Sequence, residues 1–155
     1  MKTVFVIIFS LSCFKFVITK NLPFGIDFED CGGKLELVSI SISTCHYIPC
    51  KIERRNLAEI TIEYDPRNSP YQANTLEFDA RWIIDGLQTK ALFIPETCNN
   101  DGCIRNSPNG LLQFTVLVYV SDTLPIGLMG YLYWRTVYPN NGDLLFCSRI
   151  PVFIY

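Results

Sequence analysis

Apolar side chains in this chain recur every second residue, and no window sets them at the spacing of a helix face. Ala58, Ile60, Ile62 and Tyr64 alternate with Glu59, Thr61 and Glu63. Leu76, Phe78, Ala80 and Trp82 alternate with Glu77, Asp79 and Arg81. Leu112, Phe114, Val116, Val118 and Val120 form a third such face, whose reverse side (Leu111, Gln113, Thr115, Leu117, Tyr119) is drier than usual. Successive side chains of a strand point to opposite faces, so each run reads as a half-buried strand. Leu35 and Leu37 lie on one phase and Ile40 and Ile42 on the other, which predicts a bulge or a change of sheet near Val38-Ser39. Residues 128–137 and 144–155 are also strand-like, and Pro151 predicts an edge or a local break in the last run. Turn formers such as Asp85-Gly86 and Leu124-Pro125 separate the runs. The expected class is all-β: about seven antiparallel strands in a two-sheet, immunoglobulin-like sandwich.

The N-terminus reads as a leader. Met1-Lys2 precedes an almost wholly apolar run, 3–13, which is the pattern of a secretory signal peptide. Residues 1–19 are the expected leader and 20–155 the expected domain, with a cut before Lys20 or nearer Cys13. Of seven cysteines, Cys13 falls in the leader and six remain. An even number in an exported chain reads as three disulfides, although six cysteines allow 15 pairings. Cys45 with Cys50, and Cys98 with Cys103, are two short pairs that each enclose turn formers, which leaves Cys31 and Cys147 to each other. The competing reading is a zinc site built from the two short pairs and His46. Zinc pairs are usually spaced more tightly, and an exported chain meets oxidant before metal.

Chemistry-bearing residues are sparse. Charged residues are 18% of the chain against the usual quarter, while hydrophobics at 49% exclude disorder. Net charge is −2, near −4 without the two leader lysines, and no basic stripe exists to neutralise phosphates, so no nucleic-acid partner is expected. His46 is the one histidine, there is no Gly-x-Ser-x-Gly elbow, and paired cysteines supply no nucleophile. Glu59, Glu63, Glu77 and Asp79 lie on wet faces; the residues alone leave a paired-carboxylate glycosidase open. The expectation is a non-enzymatic protein with no metal and no cofactor. The aromatic wealth, by composition alone, describes a filled core as well as a cavity wall.

The order of motifs adds to this. Asp30-Cys31-Gly32-Gly33 leads into a strand, and Cys45-x₄-Cys50 follows with Pro49 inside. Next come Asp85-Gly86, Phe93-Ile94-Pro95-Glu96 and the Cys98/Cys103 pair; the end reads Leu145-Phe146-Cys147-x-x-Ile150-Pro151-Val152. From about Asp27 to Tyr155 the chain resembles the ML (MD-two-related lipid-recognition) domain family. Within it the Niemann–Pick type C secreted sterol carriers and the group-two mite allergens are the most similar branch. The resemblance implies the three pairings above, a lipid held between the sheets and no catalysis. The pocket it implies is walled by Ile62, Tyr64, Phe78, Trp82, Phe114, Val118 and Val120, with Leu92, Leu124 and Pro125 nearer the mouth. Leucines stand at two positions where that branch carries aromatics, and a leucine-lined slot suits a fatty acid as well as a sterol. Lys90 reads either as an exposed strand lysine or as a partner for an acid headgroup. The expected protein is a monomeric, secreted or lysosomal-lumen carrier of a small apolar lipid, with transient membrane or receptor contact for transfer. The alternative is a lipid-presenting immune recognition module, docking through Leu87 and the Ile126-Gly127-Leu128-Met129 segment.

Overall fold

The alternating runs pair into two sheets that face each other across one apolar interior. The computed structural model describes residues 25–67, 75–99 and 103–155; the expected leader and turn residues 68–70 and 100–102 lie outside them. Strands are numbered along the chain. The first sheet contains β1 (Glu29–Gly32), β3 (Cys50–Ile52), β5 (Thr75–Ile84), β6 (Leu87–Lys90), β8 (Thr97–Asn99), β11 (Leu128–Val137) and β12 (Leu144–Ile154). Its order is β1-β12-β11-β5-β6, with β3 beside β12 and β8 beside β5. The second contains β2 (Glu36–Ile42), β4 (Leu57–Asp65), β7 (Leu92–Ile94), β9 (Ile104–Asn106) and β10 (Leu112–Tyr119), ordered β2-β4-β10-β7 with β9 beside β10.

The strands number twelve among the described residues, not seven. The extra ones are mostly three- or four-residue segments, too short to carry a periodicity and held by pairing to a longer neighbour. One pairing, β3 with β12, is parallel where all were expected antiparallel.

Local sequence explains the irregularities. Register between β2 and β4 shifts between Leu37 and Ser39, which lets both Leu37 and Ile40 face the interior. Asp85 and Gly86 both have positive φ, the requirement of the tight turn whose twist suits a two-residue hairpin, and they join β5 to β6. Pro151 sits in β12 at the point where one flank changes partner. β1 pairs with residues 147–149 and β3 with Val152–Ile154. The proline, which has no N–H to donate, falls in the gap between the two, the local break its position predicts.

All three expected disulfides form: Cys31–Cys147, Cys45–Cys50 and Cys98–Cys103. Disulfides persist in oxidising compartments, and three of them are consistent with an extracellular or lysosomal-lumen protein. At the end of β4, Asp65 accepts from Arg67 Nη2 at 2.6 Å and from the Arg67 backbone N–H at 2.9 Å. The Arg67 side chain, and then its backbone N–H, hold the Asp65 carboxyl down to about 2. A depressed carboxylate stabilises the fold above its unfolded value near 4, and loses that contribution as pH falls through about 2. Side-chain NMR titration should therefore find Asp65 still ionised at pH 3. In Arg67→Gln it should titrate near the ordinary carboxylate value; a wild-type value near 4 would refute the pairing in solution.

Candidate ligand site between the sheets

The interior is built where the apolar faces of β4 and β10 meet those of β5, β11 and β12. Ile62, Tyr64, Trp82, Phe114, Val118, Val120 and Leu124 are all at most 1% exposed. Phe78 is half-buried, yet its ring lies 5.2 Å from Phe114 and 5.6 Å from Phe93, centroid to centroid. Pro125 is half-buried beside Leu124. The expected wall residues thus share one interior.

Leu92, expected nearer the mouth, is not part of this buried interior but lines the cleft beside it. It is 55% exposed, on the outer face of the second sheet opposite Tyr119, while Phe93 turns inward. The physical reason is the crossing from β6 to β7. Ala91 is buried and its N–H bonds the Ala80 carbonyl at 2.9 Å, which sets the phase of β7 so that Phe93 points in. Every residue from Ala91 to Ile94 is apolar, so alternation could not choose between Leu92 and Phe93. Two further rings belong to this interior and were absent from the expected wall. Trp134 packs edge-on to Phe93 at 4.8 Å and to Phe78 at 5.4 Å; Phe146 lies 5.7 Å from Tyr64 and 6.0 Å from Phe114. Both sit in runs already read as strands, and their phase was the available signal.

Among the described residues three polar atoms are buried in this apolar interior without a hydrogen-bond partner: Tyr64 Oη, Trp82 Nε1 and Ser148 Oγ. Trp134 differs: its Nε1 donates to Thr136 Oγ1 at 2.9 Å. Burial pushes the Tyr64 phenol well above its ordinary value, so it stays a neutral hydroxyl able to donate. An unpaired buried polar group costs about 1–3 kcal/mol, and a ligand oxygen or a bound water recovers it.

A cleft borders this interior at the flank where the chain crosses between sheets. It holds about 200 Å³ and lies between β5 and β7, floored by Phe78, Ala91 and Phe93 and rimmed by Glu77, Lys90, Leu92 and Glu96. Lys90 is both exposed and beside this mouth, so its two readings are one position. Established ligand pockets run from about 300 to 1,000 Å³. The Phe78 and Phe93 rings stand 5.6 Å apart, centroid to centroid, at the floor of this cleft. On the outer side of β7 a shallower groove of about 580 Å³ runs over Leu57, Leu92, Ile94 and Tyr119, between Arg55 and Glu96. Elsewhere Leu87, Ile126, Leu128 and Met129 are exposed at 60%, 54%, 37% and 62%, at the end of the sandwich formed by the β5–β6 turn and the start of β11. His46 is exposed in the small disulfide loop. Among the described residues no group of three or more His, Cys, Asp or Glu side chains could hold a metal ion.

Two antiparallel sheets, three disulfides and an apolar interior define an immunoglobulin-like β-sandwich. Among solved structures the chain is similar to a Niemann-Pick type C2 protein from Japanese carpenter ant, with a TM-score of 0.64 and 20% identity, over 83% of this chain and 98% of that one. That likeness establishes the fold, the one the ML-family resemblance implies. No family model matches the chain, and no curated protein does.

Proposed function

We propose that this protein is a non-enzymatic carrier that holds one small amphipathic lipid, a fatty acid or a sterol, between its sheets. The observation that supports the reading is the interior itself: an aromatic-rich apolar core holding Tyr64, Trp82 and Ser148 polar atoms without a partner among the described residues, bordered by the Phe78–Phe93 cleft. Each CH₂ moved from water contributes about 0.8 kcal/mol, which drives binding with no covalent step. The fold likeness to a Niemann-Pick type C2 protein supports the same reading. Lys90, exposed at the cleft rim, would meet an acid headgroup in this reading.

The test is steric. Val120→Trp adds bulk to a wall residue that is fully buried. If the sheets part to admit a lipid, the variant should lose binding of fluorescent fatty-acid and sterol probes while its melting temperature changes by only a few degrees. In a permanently closed core the same ring should strain the fold by about 1–3 kcal/mol or more, and the parent should bind neither probe. That pair of results would overturn the carrier reading. Solvent extraction of the native protein, followed by mass spectrometry, identifies the lipid.

A second reading is favoured by the exposed Leu87, Ile126, Leu128 and Met129. Such a cluster at one end of a sandwich marks a docking surface. In this reading the lipid-loaded protein presents that end to a receptor or a membrane. Leu87→Asp with Met129→Asp would then abolish transfer between vesicles and leave lipid binding intact.

A further inference from the structure

Apart from Lys90, which stands at the cleft rim, the outer face of the first sheet carries a charge arrangement that a lipid interior does not use. Strand register places Lys90, Arg81, Tyr133, Arg149 and Glu29 in one continuous row across β6, β5, β11, β12 and β1. One step along, Arg135 stands opposite Asp79. Neighbouring strands are about 4.8 Å apart, so Arg81 and Arg149 flank Tyr133 at roughly 10 Å from each other. Arginine side chains can bridge that span. A depression of about 440 Å³ lies over these residues, lined by Asp79, Arg81, Gln88, Tyr133, Arg135 and Arg149 among others.

Its donors exceed its acceptors. Arg81 Nε lies 3.6 Å from one Asp79 oxygen and Arg135 Nη1 3.5 Å from the other. Both distances exceed the 2.7–2.9 Å or so of a charge-assisted hydrogen bond, so the single carboxylate orients two guanidiniums without saturating either. Arg149 is held by Glu29 at 3.0 Å and by stacking 4.5 Å above the Tyr131 ring. Each guanidinium has five N–H donors, and Gln88 and Tyr133 add neutral ones. Three guanidiniums against two carboxylates, Asp79 in the lining and Glu29 beside Arg149, leave this depression with about one net positive charge on a chain of net charge −2. The corresponding outer face of the second sheet carries Glu59 and Glu63, with Arg105 in the same row as Glu63.

We propose that this depression is a second binding site, separate from the interior, that takes a phosphate group. The donors approach from three strands, which suits a tetrahedral dianion with oxygens in several directions. A carboxylate ligand would duplicate what Asp79 already offers from one side. The same chemistry is offered by a free phosphomonoester and by a phospholipid headgroup.

The experiment titrates the full protein with inorganic phosphate at low salt, following Arg side-chain and Tyr133 resonances by NMR, and in parallel sediments it with phosphatidic-acid or phosphatidylcholine vesicles. The expected result is saturable binding in at least one arm, weakened about tenfold by Arg135→Gln or Arg81→Gln. Asp79→Asn should strengthen it, because the competing negative charge goes, and Arg105→Gln on the other sheet should leave it unchanged. Saturation by inorganic phosphate identifies a soluble ligand. Selective capture by phosphatidic-acid vesicles without a phosphate response identifies a lipid one. Shifts that never saturate and spread equally over Lys51, Arg54 and Arg105, or binding that Asp79→Asn weakens as much as Arg135→Gln does, would overturn the proposal. So would no binding in either arm.

Discussion

Trp134→Ala is expected to lower the free energy of unfolding by about 3–5 kcal/mol, the range for deleting a fully buried large aromatic. Trp134 is completely buried and its ring contacts Phe78, Phe93 and Phe114. Its loss opens a cavity at the junction of the two sheets and also strips the indole N–H from the buried Thr136 hydroxyl. A stability of about 5–15 kcal/mol is usual for a domain, so the variant should stand near the edge of folding. Trp134→Phe separates the two contributions, since it keeps much of the ring and removes only the donor; about 1–2 kcal/mol is expected. Urea unfolding with an unchanged slope is the measurement. A loss below about 1 kcal/mol for the alanine variant would mean that the neighbouring rings close over the hole. The interior would then be looser than the ring contacts imply.

The second large effect concerns the disulfides, which should differ by rank. Cys31–Cys147 joins residues 116 apart in the chain, whereas the other two bonds each join residues five apart. In the chain-entropy account the long loop is worth about 4.7 kcal/mol and a six-residue loop about 2. Replacing both Cys31 and Cys147 with alanine should therefore destabilise far more than the same change at Cys45/Cys50 or Cys98/Cys103. The native geometry makes this a clean comparison, because β1 and β12 are already hydrogen-bonded neighbours beside the bond. Equal losses for all three double variants would show that local strain or residual unfolded-state structure outweighs loop closure here.

What could be read from residues alone follows from where alternation is strict. The faces of β4 and β5 set charged residues against apolar ones, and their phase was legible because one slip would have buried those charges, whereas the drier reverse side of β10 marks its phase less sharply. The bulge at Val38 and the break at Pro151 were legible because each violates the pattern at one position. The cysteine pairs were legible because two of the three loops are short. Three things were not legible. The phase of β7 is lost in an all-apolar stretch and set by the crossing at Ala91. The three-residue strands β3, β7, β8 and β9 owe their form to partners distant in the chain. Leu87, Ile126, Leu128 and Met129 could be named as a docking surface, but their exposure depends on which end of the sandwich stays uncovered, which residue type does not reveal.

The place of β12 bears on how the chain is made. It binds β1, β3 and β11, every one of which precedes it in synthesis. A nascent chain emerging from the ribosome can assemble the second sheet once β10 appears, because that sheet borrows nothing from later residues. The first sheet has to wait. Until β12 arrives, β1 and β3 have no seat, one edge of β11 is bare, and Cys31 is without its native partner. During that interval the waiting strands offer unpaired backbone to any passing chain. The load on chaperones and oxidoreductases should accordingly peak just before the final strand emerges.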